Sequence, residues 1–214
     1  MRTRAAHLRT EARTETHSRD HRVRSVTPPP APAPAPSTEP AGEEGNAAKI
    51  AALLATPCIG TQVTPEADNL QEVRTSVFCL INRVRAEHGE EPLVENAELD
   101  AAAESHANEL VADDYFAHVA PDGITPVDRI RSTGYIPGPE VGYVIGENLA
   151  WGTFTLSTPQ SIVEAWLASP GHLANILESN YHETGIGISP AVPSSLSGGA
   201  PGATYAQEFG VIIH

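Results

Sequence analysis

Between residues 27 and 47 the chain reads TPPPAPAPAPSTEPAGEEGNA, and no other stretch restricts the fold so strongly. Proline has no backbone N–H and a fixed φ, so a run this dense can join neither a helix interior nor a sheet ladder. It reads as an extended, semi-rigid spacer. The expected organisation is therefore threefold: a disordered, Arg-rich N-terminal tail over residues 1–26, a Pro/Ala-rich linker over 27–47, and a folded domain over 48–214. A chain of 214 residues leaves room for one domain of ordinary size after such a linker.

Charge separates these parts as clearly as proline does. The first 24 residues hold seven arginines, whereas from residue 48 onward there are six basic and 21 acidic residues, a net of −15. A surface of that sign repels phosphate backbones, which argues against nucleic-acid binding by the domain. Nothing approaches the ~18 consecutive apolar residues of a membrane span. The start, MRTRAAHLRTEARTETHSRDHRVRSV, is basic but has no apolar h-region, so a leader is not recognisable in this numbering. The two cysteines, Cys58 and Cys79, sit outside any CxxC or Cys/His cluster. They are either unrelated buried thiols or a bridge formed in an oxidising compartment, closing a loop worth roughly 3 kcal/mol on the chain-entropy model.

Leu70, Val73, Val77, Leu80, Ile81 and Val84 recur at helical spacing and predict an amphipathic helix from about Ala67 to His88. A second helix, about Ala97 to Ala112, places Leu99, Ala103, His106 and Leu110 on one face, where His106 reads as a structural core histidine. TPVDRIRSTG reads as a short helix capped by Thr125, with Pro126 in its first turn and Gly134 beyond its end. STPQSIVEAWLASPG repeats that pattern around Pro159. The segments YVIGENLAWGTF, TGIGISP and ATYAQEFGVIIH are β-branched, aromatic and punctuated by glycine, and read as strands. Helices followed by mostly strands point to an α+β fold, with helices packed on an antiparallel sheet.

Three groups could carry chemistry. His118 lies in YFAHVAPDG, in a loop after the second helix; Glu147 lies in GENLAWG among Ile145, Leu149 and Trp151, so if buried it needs hydrogen bonds or an ion pair. His172 lies in SPGHLANIL, where Gly171 is expected to close the preceding helix and His172 and Asn175 to share a face of a new short one. Dispersed by 29 and 25 residues, these groups meet only through the fold.

YFAH, GENLAWG, AWLASPGHLANIL, GIGI and YAQEFG stand in the order and at the gaps of the CAP superfamily, also called SCP/PR-1. The chain resembles its bacterial secreted branch from about Phe78 to Ile213. That resemblance implies a three-layer α-β-α sandwich with a central antiparallel sheet and a large cleft. In the cleft His118 and His172 match the two family histidines, and Glu147 matches the acid of the Gly-Glu-Asn motif. Some members hold a divalent metal, often zinc, on the two histidines, which suits neutral imidazole. Animal and plant members carry a further glutamate where this chain has Ser169, so two protein ligands would leave zinc weakly held and mostly water-coordinated. Glu164, Glu178, Glu183 and Glu208 are the acids that could add to the set. Asn148 and Asn175 are expected at the cleft, chiefly as backbone clamps, with Trp151 and Trp166 in the core or cleft wall.

The expected function is a secreted or cell-surface, non-enzymatic domain whose cleft takes a small lipid-like or glycan ligand, or a protein or cell-wall partner. The alternative is a zinc-dependent hydrolase or peptidase in which His118 and His172 hold the metal and Glu147 is the catalytic general base. A third reading is a wall-associated interaction module with a cation-binding acidic surface. A third protein ligand near the two histidines would favour the enzyme, and an apolar cleft wall would favour a lipid-like ligand.

Overall fold

The structure is a computed structural model that describes residues 8–17 and 41–213. A five-stranded sheet in the order β1-β3-β5-β4-β2 forms its middle layer. The strands are β1 (Leu8–His17), β2 (Val94–Glu95), β3 (Gly142–Thr153), β4 (Glu183–Ser189) and β5 (Gly202–Ile213). β3 and β5 pair antiparallel along their whole length, from Gly142↔Ile213 to Thr153↔Gly202. β4 joins the far side of β5 antiparallel, and the two-residue β2 joins β4 parallel.

Helices cover both faces. On one lie α2 (Leu70–Glu87), α5 (Pro159–Leu167) and α6 (Pro170–Ile176). Val73, Val77 and Ile81 of α2 meet Ile162, Val163 and Trp166 of α5 over Ala150, Ile186, Tyr205 and Phe209 of the sheet. On the other lie α3 (Ala97–Ala112) and α4 (Pro126–Ser132), which bury Leu99, Ala107, Leu110 and Ile130 against Ile145, Leu149 and Ala206. The period-two alternation of β3 is thus read by two different cores, the condition for a sheet covered on both sides. Helix α1 (Ala41–Ala55) precedes these layers, and α7 (Ser194–Ser197) leads into β5.

Local rules account for the element ends. Asn96 caps α3 by accepting from the Glu98 and Leu99 amides, and Thr125 and Asp128 close a reciprocal capping box on α4. Arg85, fully buried, donates to the carbonyls of Glu91, Ile176, Glu178 and Tyr181, and so fastens α2 to the turn that follows α6. Cys58 and Cys79 are bridged, with 5.7 Å between their Cα atoms, which ties the segment before α2 to its middle.

Three expectations differ from the structure. Residues 8–17, read as disordered tail, form strand β1 antiparallel to β3, because the outer edge of β3 offers unpaired backbone groups that an extended polar segment can satisfy. The linker boundary at 47 falls inside α1, where the alanine-rich AGEEGNAAKIAALLA follows the last proline; residues 18–40 lie outside the described residues. Gly171 does not close α5. It lies in the first turn of α6, whose N-cap is Ser169 and whose first residue is Pro170, a position where the missing N–H costs nothing.

Candidate functional site

The core of the site is a carboxylate that cannot move. Glu147 points from the middle of β3 toward the α3/α4 face and is fully buried. His118 Nδ1 donates to its Oε1 at 2.5 Å, and Arg129 Nη2 donates to its Oε2 at 3.0 Å. His106 Nε2 stands 3.7 Å from Oε2. Burial alone would raise the Glu147 pKa. The His118 hydrogen bond, His106, Arg129 and Glu208 together outweigh it and hold the carboxylate down, at about 2.

The surrounding elements explain how these groups arrive. α3 stops at Ala112, and Asp114 then takes a left-handed conformation (φ 55°), one that Asp tolerates better than most residues. The chain turns back there, and Phe116 packs under α3 while His118 reaches Glu147. Arg129, on α4, also donates to the His118 carbonyl at 2.6 Å, so a single guanidinium fixes both the loop and the carboxylate. Opposite Glu147 in the β3–β5 register stands Glu208, also fully buried. Its pKa is pushed well above the ordinary value, by desolvation first and then by the charge of Glu147 and the proton it can offer that carboxylate. One of the two acids is therefore ionised and the other neutral, as adjoining buried carboxyls require.

On the other face of β3, α6 presents His172. The ring is 2% exposed, and neither nitrogen completes a hydrogen bond among the described residues. Burial lowers its pKa, the Glu11 backbone on β1 works against that, and His118 adds to the lowering. His118 Nε2 is likewise without a hydrogen-bond partner. Asn148 and Asn175 serve the backbone: Asn148 donates to the His172 carbonyl at 3.3 Å, and Asn175 donates to the carbonyls of Arg13 and Glu147 and to the Asn148 side chain. Trp166 is core, its indole N–H donating to the Leu149 carbonyl.

The residues fit zinc only in part. Two imidazoles have free nitrogens, and Glu147 orients one of them as an outer-sphere carboxylate does in metal sites. Yet among the described residues no group of three or more His, Cys, Asp or Glu is placed to hold a metal ion. Glu208 faces Glu147 in neutral form, while Glu164, Glu178 and Glu183 accept hydrogen bonds from Gln160, Asn180, and Asn96 with Tyr135.

Sequence reasoning missed His106 and Arg129 as members of the site. The available signal was electrostatic: a carboxylate buried in an apolar strand needs a cation, and Arg129 beside Ile130 in a short amphipathic helix was a candidate.

Residues 78–194 match the model of the cysteine-rich secretory protein family, CAP. The chain belongs to the CAP family. Among its relatives is the uncharacterised protein YkwD of Bacillus subtilis, 31% identical over 151 residues, which cover 70% of this chain and 54% of that one. A second Bacillus subtilis relative, the uncharacterised membrane protein YlbC, is 28% identical over 52% of this chain and 30% of its own length. The matches thus span about half or less of these relatives. Two solved structures share the fold. One is an extracellular protein containing an SCP domain from Bacillus anthracis, with TM-score 0.52 and 22% identity over 69% of this chain and 44% of that one. The other is an outer surface protein of Borrelia burgdorferi, with TM-score 0.54 and 20% identity over 69% of this chain and 98% of that one.

Proposed function

We propose that this CAP domain is an exported binding module rather than a hydrolase, and that its ligand engages His118 and His172 from above the Glu147 anion. The observation that carries this reading is the state of Glu147. A general base works best with a pKa near the operating pH. Glu147 is held far below that chiefly by the His118 hydrogen bond on one oxygen and the Arg129 guanidinium on the other, with no lone pair turned to solvent. It is built to orient His118 by holding the Nδ1 proton, which leaves Nε2 as the atom offered to a ligand. Export is supported by the disulfide and by the extracellular and outer-surface descriptions of the two structural neighbours. No helix among the described residues is long and apolar enough to cross a membrane.

A divalent metal is one ligand this pair of imidazoles could take, with His118 Nε2 and His172 as its protein donors. When bound, such an ion supplies Lewis acidity. With two protein ligands the affinity is low. Calorimetric titration of the full chain with zinc chloride at pH 7.5, beside His118→Ala and His172→Ala, tests the site. Weak binding that either change abolishes while the fold is retained supports it. No heat from the wild type, with both variants merely less stable, would mean that the histidines are structural.

A further inference from the structure

Strand β1 lies outside the part of the chain that matches the family, yet it forms the outermost strand of the sheet. Without it β3 would present a twelve-residue unpaired edge, a ready template for another chain. Its register runs from Leu8↔Gly152 to His17↔Tyr143.

The seat is more specific than edge pairing requires. On the α6 side, Asn175 donates to the Arg13 carbonyl at 3.0 Å and the Thr14 hydroxyl bonds the Asn175 side-chain oxygen. Ala12 packs against Gly171, where an added Cβ would stand 3.4 Å from the Ala12 Cβ, in ordinary contact. Gly146, opposite Thr14, keeps the same approach open, since a Cβ there would lie 3.1 Å from the Arg13 carbonyl oxygen and 2.2 Å from the Tyr181 hydroxyl. His172 is buried with the Glu11 backbone as a polar group against its ring. On the opposite side of β1, Arg9 lies 5.6 Å over the Phe116 ring and pairs with Glu11 at 2.7 Å, and Arg13, in register with Glu147, pairs with Glu15. Small side chains therefore face α6, and the other face carries arginines and glutamates in alternation, paired with one another.

We propose that the outer edge of β3, walled by α6, is a docking site for an extended peptide with small side chains at alternate positions and alternating arginine and glutamate on its other face, and that residues 8–17 occupy it in cis. This inference rests on reading the histidine site as a binding site and names its ligand class. The peptide adds a strand, its backbone satisfies β3 and Asn175, and its small side chains sit against α6. The tether holds β1 at an effective concentration on the order of millimolar, so an outside peptide enters only when β1 leaves.

The test uses full-length protein and a fluorescein-labelled peptide of the sequence LRTEARTETH, followed by fluorescence anisotropy. Ala12→Trp sets an indole against α6 in place of a methyl, and Thr14→Pro removes a strand N–H without adding comparable bulk. Both variants should bind the peptide at least about tenfold more tightly than wild type or Ala12→Ser. A peptide carrying tryptophan at its own alanine should bind none of them. Equal binding by wild type and the two opening variants, or no binding by folded variants, overturns the proposal. So does a wild-type dimer in light scattering that Ala12→Trp converts to monomer, which would assign the seat to a second copy. No histidine is altered, so zinc binding can fail while peptide binding stands, and the reverse.

Discussion

At the scale of single residues, the site is a problem of two buried carboxyls solved by giving each a different charge. Glu147 has the His118 bond, Arg129 and His106, whereas Glu208 has Glu147 itself as a neighbour. Glu147→Gln strands Arg129 beside a neutral amide and should cost about 3–5 kcal/mol in urea denaturation. The pH signs also differ. Glu208 is neutral in the fold, so its contribution is complete below its ordinary value of 4.5 and is lost as pH rises toward the folded value. His106 and His172, both pushed down by burial, contribute fully above their ordinary 6.5 and lose that contribution as pH falls. As pH rises above 4.5 the unfolded Glu208 ionises while burial resists ionisation in the fold, so Glu208→Gln should flatten a decline of up to about 1.4 kcal/mol per pH unit in urea denaturation followed across pH. An unchanged slope would show Glu208 to be ionised in the fold. Neither Glu208's orientation nor Arg129's partner was readable from sequence, because the first depends on how β5 registers against β3 and the second on how α4 packs over β3. Glu147 was readable as a buried acid because its strand neighbours are apolar.

At the scale of elements, the agreement was closest where one periodic pattern met clear caps. α3 spans the segment bounded by Asn96 and Asp113, and α4 begins at the Thr125-Pro126 signal. β4 shows why glycine punctuates that strand. A Cβ on Gly185 would stand 2.0 Å from the backbone of Leu99, and one on Gly187 would stand 2.1 Å from that of Ala103, so α3 lies directly in the notches. Gly187→Ala must lift the helix. It should destabilise the protein by about 3 kcal/mol, at the upper end for overpacking, as read by thermal or urea unfolding. A loss below about 0.5 kcal/mol would mean that α3 does not sit so close. β1 escaped sequence reasoning because RTEARTET carries no apolar alternation; its pairing is decided by the partner edge and not by its own composition.

At the scale of the whole molecule, the three-layer order followed from the CAP-like motifs, and the two helical layers bring His118 and His172 to one strand, β3. The bridge from Cys58 to Cys79 fastens the segment leading into α2 across a separation of 21 residues. Reduction should lower unfolding stability by roughly 3 kcal/mol without exposing the site, which lies on elements beyond it. A Cys58→Ser/Cys79→Ser variant compared by urea denaturation checks this. The central claim is that the buried acid is a fixed anion that orients an imidazole, and it is tested most directly by carbon-13 NMR of the Glu147 carboxyl in the intact chain. The resonance should keep its ionised position from pH 8 down to pH 4. A midpoint between pH 5 and pH 8 would instead make Glu147 a competent general base and return the hydrolase to first place.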